Sequence, residues 1–217
     1  MASLYPEIME KTDLTKEDKA YYSAGLLPEL VKIPQKNFLA IEGKGDPSSA
    51  HYAEHLQALY SVAYGIKFHT KKQQKDFVVP KLESLLWFDT EKYSDLDAAQ
   101  TPVIVPRVEW QWKLLIQLPG FVTENDIDTV KDAVLQKKKT SLVKQVVGFQ
   151  YEEGTVVQIL HVGPFSDEPR SLEKIMAFAV EHNLQKAGEH HEIYLSDFRK
   201  TLPEKLKTIL REPVKIP

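Results

Sequence analysis

The chain has 217 residues, of which 42% are hydrophobic and 27% charged, with a formal net charge of −3. That length suffices for one large domain or two small ones with a buried core, and no field of one sign points to nucleic acid. There is no cysteine, which excludes disulfides, thiolate nucleophiles, Cys-ligated zinc and iron–sulfur clusters together.

No apolar run approaches the ~20 residues of a membrane span. The opening "MASLYPEIMEKTDLTKEDKA" carries acids and lacks the apolar segment of a signal peptide. A soluble, cytoplasmic protein is expected, with no membrane or nucleic-acid partner. The basic run Lys137 to Lys139 follows a helical pattern and reads as cations at a helix C-terminus.

In chain order, residues 1–25 lack apolar periodicity and read as an N-terminal arm outside the core, with Tyr21 and Tyr22 positioned to dock on the body. "LVKIPQKNFLAIEG" has the alternation of a strand, and "GKGDPSS" supplies the residues of a turn. In "AHYAEHLQALYSVAYGIKF" the positions Tyr52, Leu56, Leu59, Tyr60 and Ala63 keep helical spacing. "FVVPKLESLLWF" and "EWQWKLLIQLP" follow as strands, separated by a polar, Pro-containing connection. "TENDIDTVKDAVLQKKK" opens with Thr123 and Asp126 at capping-box spacing and reads as a connecting helix. Then the order recurs. "TVVQILHVGPFSDEPRS" is strand and turn, "SLEKIMAFAVEHNL" is a helix, and "HHEIYLSDF" and "LKTILREPVKI" are strands.

Laid over each other, "LAIEGKGDPSS" falls on "QILHVGPFSDEP", "LESLLWFD" on "HEIYLSDF" and "LLIQLPGFV" on "TILREPVKI". The expectation is an α+β fold of duplicated β-α-β-β units, forming a mainly antiparallel sheet with helices on one face and a ligand cleft between the halves. Residues 26–217 would be a single domain of two pseudo-repeats, about 26–122 and 141–217. The sheet face opposite the helices is expected to form the groove.

Several residues in this frame carry chemistry. "HHEIYLSD" lacks the second histidine of H-E-x-x-H, so no zinc-peptidase site is expected, and there is no G-x-S-x-G elbow or complete dinucleotide-binding glycine loop. Strand alternation puts His190, Glu192, Tyr194 and Ser196 on one face, with Ile193 and Leu195 turned toward the helices. Glu192 and Tyr194 are then either the solvent face of the sheet or two convergent groups of a pocket. Glu83 takes the matching place in "LESLLWF", with Trp87 further along the same face. Trp110 and Trp112 share a face with Leu114 and Ile116, which reads as core, although a ring at the strand's start would reach the cleft end. His161 reads as a turn histidine and Tyr64 as core or cleft-end packing.

The segments "HEIYLSDFRK", "LPEKLKTILREPVK", "EWQWKLLIQLPGFV", "GKGDPSS" and "LYSVAYGIKF" together resemble the GyrI-like small-molecule-binding proteins, whose duplicated fold is shared with SOUL haem-binding proteins and the drug-binding domains of multidrug-sensing regulators. The resemblance spans most of the chain from about residue 30. Family members often carry Pro where this chain has Phe198, and a Gly-Leu-Trp-Trp-like run where it has "SLLWF". No DNA-binding module fits in the leading ~25 residues, so a stand-alone version is expected.

The resemblance implies a cleft with aromatic walls and a central glutamate, taking lipophilic aromatic or cationic small molecules. It implies a cofactor-free and metal-free hydrolase that opens the cyclopropane of electrophilic DNA-alkylating compounds. Glu192 and Tyr194 would be catalytic, and Glu83, Trp87, Trp110, Trp112, Tyr64 and His161 would bind ligand. The alternative is a non-catalytic binder that sequesters lipophilic or cationic drugs. Haem ligation has no support, since no histidine is placed as an axial ligand.

Overall fold

The computed structural model describes residues 11–217 apart from 90, 94, 95, 97–99 and 139. The first ten residues of the expected arm and Lys139 therefore lie outside the described residues. In chain order the elements are β1 (Lys11–Thr12), α1 (Leu14–Glu17), β2 (Glu29–Ile33), β3 (Lys36–Lys44), α2 (Ala50–Lys72), β4 (Asp76–Phe77), β5 (Leu82–Trp87) and α3 (Thr101–Ile104). They continue with β6 (Gln111–Gln117), α4 (Glu124–Lys138), β7 (Val147–Tyr151), β8 (Gly154–Val162), α5 (Glu168–Glu181), β9 (Gln185–Lys186), β10 (His190–Tyr194) and β11 (Lys207–Lys215).

The local signals act as elementary chemistry predicts. Ser49 caps α2 by accepting from the Tyr52 amide at 3.3 Å, which satisfies one of the free N–H groups at a helix start. At the head of α4, Thr123 and Asp126 bond reciprocally: the Thr123 amide and hydroxyl donate to Asp126 Oδ2 at 2.9 and 2.7 Å, and the Asp126 amide donates back to Thr123 Oγ1 at 3.2 Å. The stretch "LVKIPQKNFLAIEG" is not one strand. Pro34 has no N–H to give a ladder, so pairing stops between β2 and β3, and β7 is a further strand that the sequence reading does not assign.

The large sheet runs β2-β8-β11-β10-β5-β6-β3-β7, with every neighbouring pair antiparallel, and β9 adds to β11. Read from either end the order is the same if β2 is exchanged with β7, β8 with β3, β11 with β6 and β10 with β5. A pseudo-two-fold axis thus passes between β10 and β5. The outermost strands cross over: β2 precedes β3 in sequence but pairs with β8, and β7 precedes β8 but pairs with β3. Each half therefore closes the edge of the other.

Both faces of the sheet are covered. On one, α2 and α4 pack over Leu39, Ile41, Leu82, Trp112, Leu114 and Ile116, and α5 packs over Val157, Ile159 and Leu210. Gly43 lets the Trp112 indole lie flat on β3, since a Cβ there would stand 2.1 Å from the ring. On the other face the segment before β2 lays Tyr21 and Tyr22 against Phe38, Leu85, Leu115, Ile193 and Ile209. The expected arm is therefore part of the core where it is described. The expected free groove on this face does not exist, because these tyrosines fill it.

Beneath them lies a buried ionic network. Tyr21 and Tyr22 donate to the two oxygens of Glu83 at 2.5 and 3.3 Å. His191 bridges Glu83 at 3.0 Å and Glu153 at 2.9 Å. Arg211 reaches Glu153 at 3.4 Å, Gln158 at 2.8 Å and the Tyr21 carbonyl at 2.5 Å. Burial disfavours charge on His191, but Glu153 and Glu83 outweigh it and raise its pKa to about 9. Because the folded value lies above the unfolded one of 6.5, this pairing stabilises fully below about pH 6.5, and the contribution is lost as pH rises through about 9. His191→Gln is expected to cost about 3–5 kcal/mol near neutrality by stranding two buried carboxylates. Its deficit in thermal unfolding should shrink as pH is raised past about 9; a deficit constant with pH would show that the imidazolium is not the stabilising species.

Candidate functional site

Strand β10 presents His190, Glu192 and Tyr194 to the helix-covered face and His191 and Ile193 to the other, the reverse of the expected orientation. Alternation separates two faces but cannot say which one meets helices when both are buried. Glu192 stands directly opposite Ser84 and Leu210, close to the pseudo-two-fold axis, and is only 7% exposed.

Its neighbours form a chain of proton-bearing groups. His190 Nε2 lies 3.3 Å from Glu192 Oε1, and His190 Nδ1 lies 2.7 Å from Glu212 Oε1. Lys186 holds the other oxygen of Glu212 at 2.8 Å. Burial opposes the charge on His190, but Glu212 and Glu192 outweigh it and raise its pKa to about 10. Burial likewise works against an ionised Glu212, yet His190 and Lys186 hold it at about 2. His190 is therefore an imidazolium at neutral pH, donating to a carboxylate from each ring nitrogen. The Tyr194 hydroxyl bonds Glu192, and burial with this negative neighbour pushes its pKa far up, so it stays a donor. Tyr52 of α2 contacts the same hydroxyl, and burial raises its pKa as well.

A second carboxyl approaches from the start of α5. Glu168 is 8% exposed, and burial followed by repulsion from Glu192 raises its pKa well above the usual carboxylate range. The helix-covered face thus carries two buried carboxyls, Glu192 and Glu168, the second with its pKa raised.

Tyr194 also borders a cavity of about 1300 Å³. One wall is α2, through Leu56, Tyr60, Tyr64 and Phe68; the other is the segment entering β5 and the residues after β10, including Phe198 and Arg199. The cavity therefore lies between an element of the first half and one of the second. Phe165, Tyr194 and Phe198 meet edge to face with centroids 5.9 to 6.1 Å apart, a favoured aromatic geometry. Arg199 sits 5.9 Å above the Tyr60 ring. Lys16, Lys81, Lys138 and Lys200 bring further positive charge to the lining, partly balanced by Asp13, Glu54 and Asp197, of which Asp13 pairs with Lys16 and Asp197 with Arg199 and Lys200.

Of the residues singled out from sequence, Glu192, Tyr194 and Tyr64 fall on this side of the sheet, Tyr64 exposed at the cavity wall. Glu83 does not join them. It faces Ile193 on the opposite side, wholly buried in the tyrosine–histidine network, and Trp87 packs on that side too. Overlaying "LESLLWFD" on "HEIYLSDF" misplaces the equivalence by one residue: a two-fold axis through the sheet keeps a side chain on its own face, and one step along a strand changes it.

Trp112 is a core residue under α2, edge-on to Tyr52 and His55 at 5.0 Å, with its Nε1 donating to the Gly45 carbonyl at 3.2 Å. Trp110 precedes β6 and donates to the Val105 carbonyl at 3.1 Å. His161 is a structural bridge, its ring nitrogens meeting Ser171 Oγ at 2.9 Å and the Pro164 carbonyl at 3.2 Å. None of these three lines the cavity. Sequence reasoning missed the roles of His190, Glu212, Glu168 and Phe165; the only available signal was the parity of His190 and Glu192 on β10. Among the described residues no group of three or more His, Asp or Glu side chains is arranged to hold a metal ion, and no helix is long and apolar enough to cross a membrane.

A family model described as a GyrI-like small molecule binding domain matches residues 120–215. No curated protein matches the chain at a significant level. Among solved structures, an uncharacterized conserved protein from Listeria innocua is 38% identical, with a TM-score of 0.85 over 94% of this chain and 100% of the other. A protein described as a hydrolase from Listeria innocua is 37% identical, with a TM-score of 0.81 over 94% and 100%. Another so described from that organism is 36% identical, with a TM-score of 0.82 over 95% and 100%.

The state of His190 is directly measurable. Nitrogen-detected NMR of the imidazole is expected to show both ring nitrogens protonated at neutral pH and titration near 10. Glu212→Gln should lower that value by removing the main compensating anion; an unchanged titration would assign the charge to another partner.

Proposed function

Because the chain belongs to the GyrI-like family of small-molecule-binding proteins, we propose that it is a cofactor-free hydrolase that opens the cyclopropane of electrophilic, DNA-alkylating aromatic compounds and so detoxifies them. The observation that carries the reading is the placement of Glu192 between an imidazolium and the hydroxyl of Tyr194, the residue that borders the aromatic cavity. The description of two similar proteins as hydrolases supports the reaction class.

A flat apolar substrate would lie against Tyr60, Tyr64, Phe198 and Tyr194, each aromatic contact adding about 1 kcal/mol beyond area burial. These replace the expected wall of Trp87, Trp110 and Trp112. Glu192 takes a proton from water as its oxygen bonds to the strained carbon. His190 fixes the orientation of the accepting carboxylate. Tyr194 donates to the conjugated carbonyl oxygen, which gains charge as the ring bond breaks. Ring strain supplies much of the driving force, so positioning without a metal or a nucleophilic triad suffices.

The other reading, sequestration of lipophilic cations, needs an unneutralised carboxylate in an aromatic box. Here Glu192 is paired with an imidazolium, burial raises the pKa of Glu168, and the acids of the cavity lining, Asp13, Glu54 and Asp197, are outnumbered by four lysines and an arginine. That charge pattern favours a neutral substrate over a cation.

The test is incubation of the protein with a duocarmycin-type cyclopropane compound, followed by mass spectrometry. Wild-type protein should add one water, and Glu192→Gln should lose at least about 10²-fold in rate. Compound recovered unchanged but bound would convert the proposal into that of a binding protein. In the same assay Tyr64→Ala is expected to raise KM several-fold at nearly constant kcat, since it removes contact with substrate and not with the reacting atoms.

A further inference from the structure

Glu168 is the carboxyl on this face that the reaction above leaves without a task. It opens α5, on the connection that leaves β8 through His161, Pro164 and Phe165. The Phe165 ring lies 5.9 Å from that of Tyr194, which holds that connection over β10, and His161 ties the Pro164 carbonyl to Ser171 of α5, which braces the connection itself. The Glu168 side chain is more than nine-tenths buried, and its Oε1 has no hydrogen-bond partner.

A carboxylate held there would carry a desolvated charge on an oxygen that nothing donates to, whereas a carboxylic acid has a proton of its own to give. The groups acting on it are Glu192, Tyr194 and His190 from β10 and Arg107 from the connection before β6. Burial and Glu192 favour the protonated form; His190 and Arg107 oppose it, as does the N-terminal dipole of α5. Burial is the largest of these effects.

We propose that Glu168 is the proton reservoir of this site, paired with the base Glu192. The proposal rests on the hydrolase reading and completes its proton balance. As the water oxygen bonds to carbon and the cyclopropane bond breaks, one water proton passes to Glu192 and the electron pair moves to the carbonyl oxygen. Tyr194 gives that oxygen its proton, and Glu168 is the source that makes good the loss. When product leaves, the proton on Glu192 restores that of Glu168, so substrate and water alone are consumed. Glu168 is a positioning residue for the proton, not a group that touches the reacting carbon.

The test combines infrared difference spectroscopy with a pH–rate profile on the full chain, using the same duocarmycin-type compound. At neutral pH the spectrum of wild type minus Glu168→Gln should contain the C=O stretch of a protonated carboxylic acid. Glu168→Gln should turn over about 10²-fold more slowly and lose the fall in rate that wild type shows as Glu168 ionises at high pH. A fall caused by His190 would survive in that variant. Glu168→Asp, which retains a titratable proton, should keep the fall. Absence of the acid band, or a Gln variant with wild-type rate and profile, overturns the proposal while wild-type turnover leaves the hydrolase reading intact. A wild-type protein that shows the band and no turnover overturns both.

Discussion

The pairing of β5 with β10 is the constraint on which the rest depends. It joins the two halves across the pseudo-two-fold axis, and its register sets Ser84 opposite Glu192 and Glu83 opposite Ile193. With side chains alternating along each strand, this register sends the two glutamates to different sides of the sheet. Helices cover one side and the tyrosine-bearing N-terminal segment the other. The central strands therefore have no solvent face, and every charge on them has to be satisfied by protein.

The two adjacent histidines show how that is done. His190 and His191 point to opposite faces, and each sits between two carboxylates. In both cases burial disfavours the imidazolium and the flanking acids restore it. The consequences differ. On the His191 side Glu83 and Glu153 find donors among Tyr21, Tyr22 and Arg211, so the network is closed and its role is to clamp the N-terminal segment to the sheet. On the His190 side the network is open: Glu168 retains an oxygen without a partner, and Tyr194 borders a cavity. A closed polar network holds structure, and an open one beside a cavity has capacity for chemistry.

Much of the scaffold was legible in the residues. Thr123 with Asp126, the helical spacing from Tyr52 to Ala63 and the strand alternation around Glu192 act locally, so they survive in any tertiary setting. The doubled order of strand, turn, helix, strand and strand was legible for the same reason. The break at Pro34 and the strand β7 were not, because the partners of β2 and β7 belong to the opposite halves. The aromatic walls were misassigned for a related reason. Periodicity shows that Trp112 is apolar-facing, but only packing against Gly43, Tyr52 and His55 shows that its ring is enclosed.

The sequence by itself determined the α+β class, the duplication and the choice of Glu192 and Tyr194 as a pair on one face, since each follows from spacing along the chain. The tertiary structure alone decided that this face is the helix-covered one, that Glu83 is a structural anion, and that Glu168 stands where Glu83 had been expected. The physical reason is the two-residue period of a strand: an overlay wrong by one residue keeps every element in place and exchanges every side chain between faces. Which face meets helices, and which buried acid finds a donor, are properties of contacts between segments more than a hundred residues apart, such as Glu83 with His191.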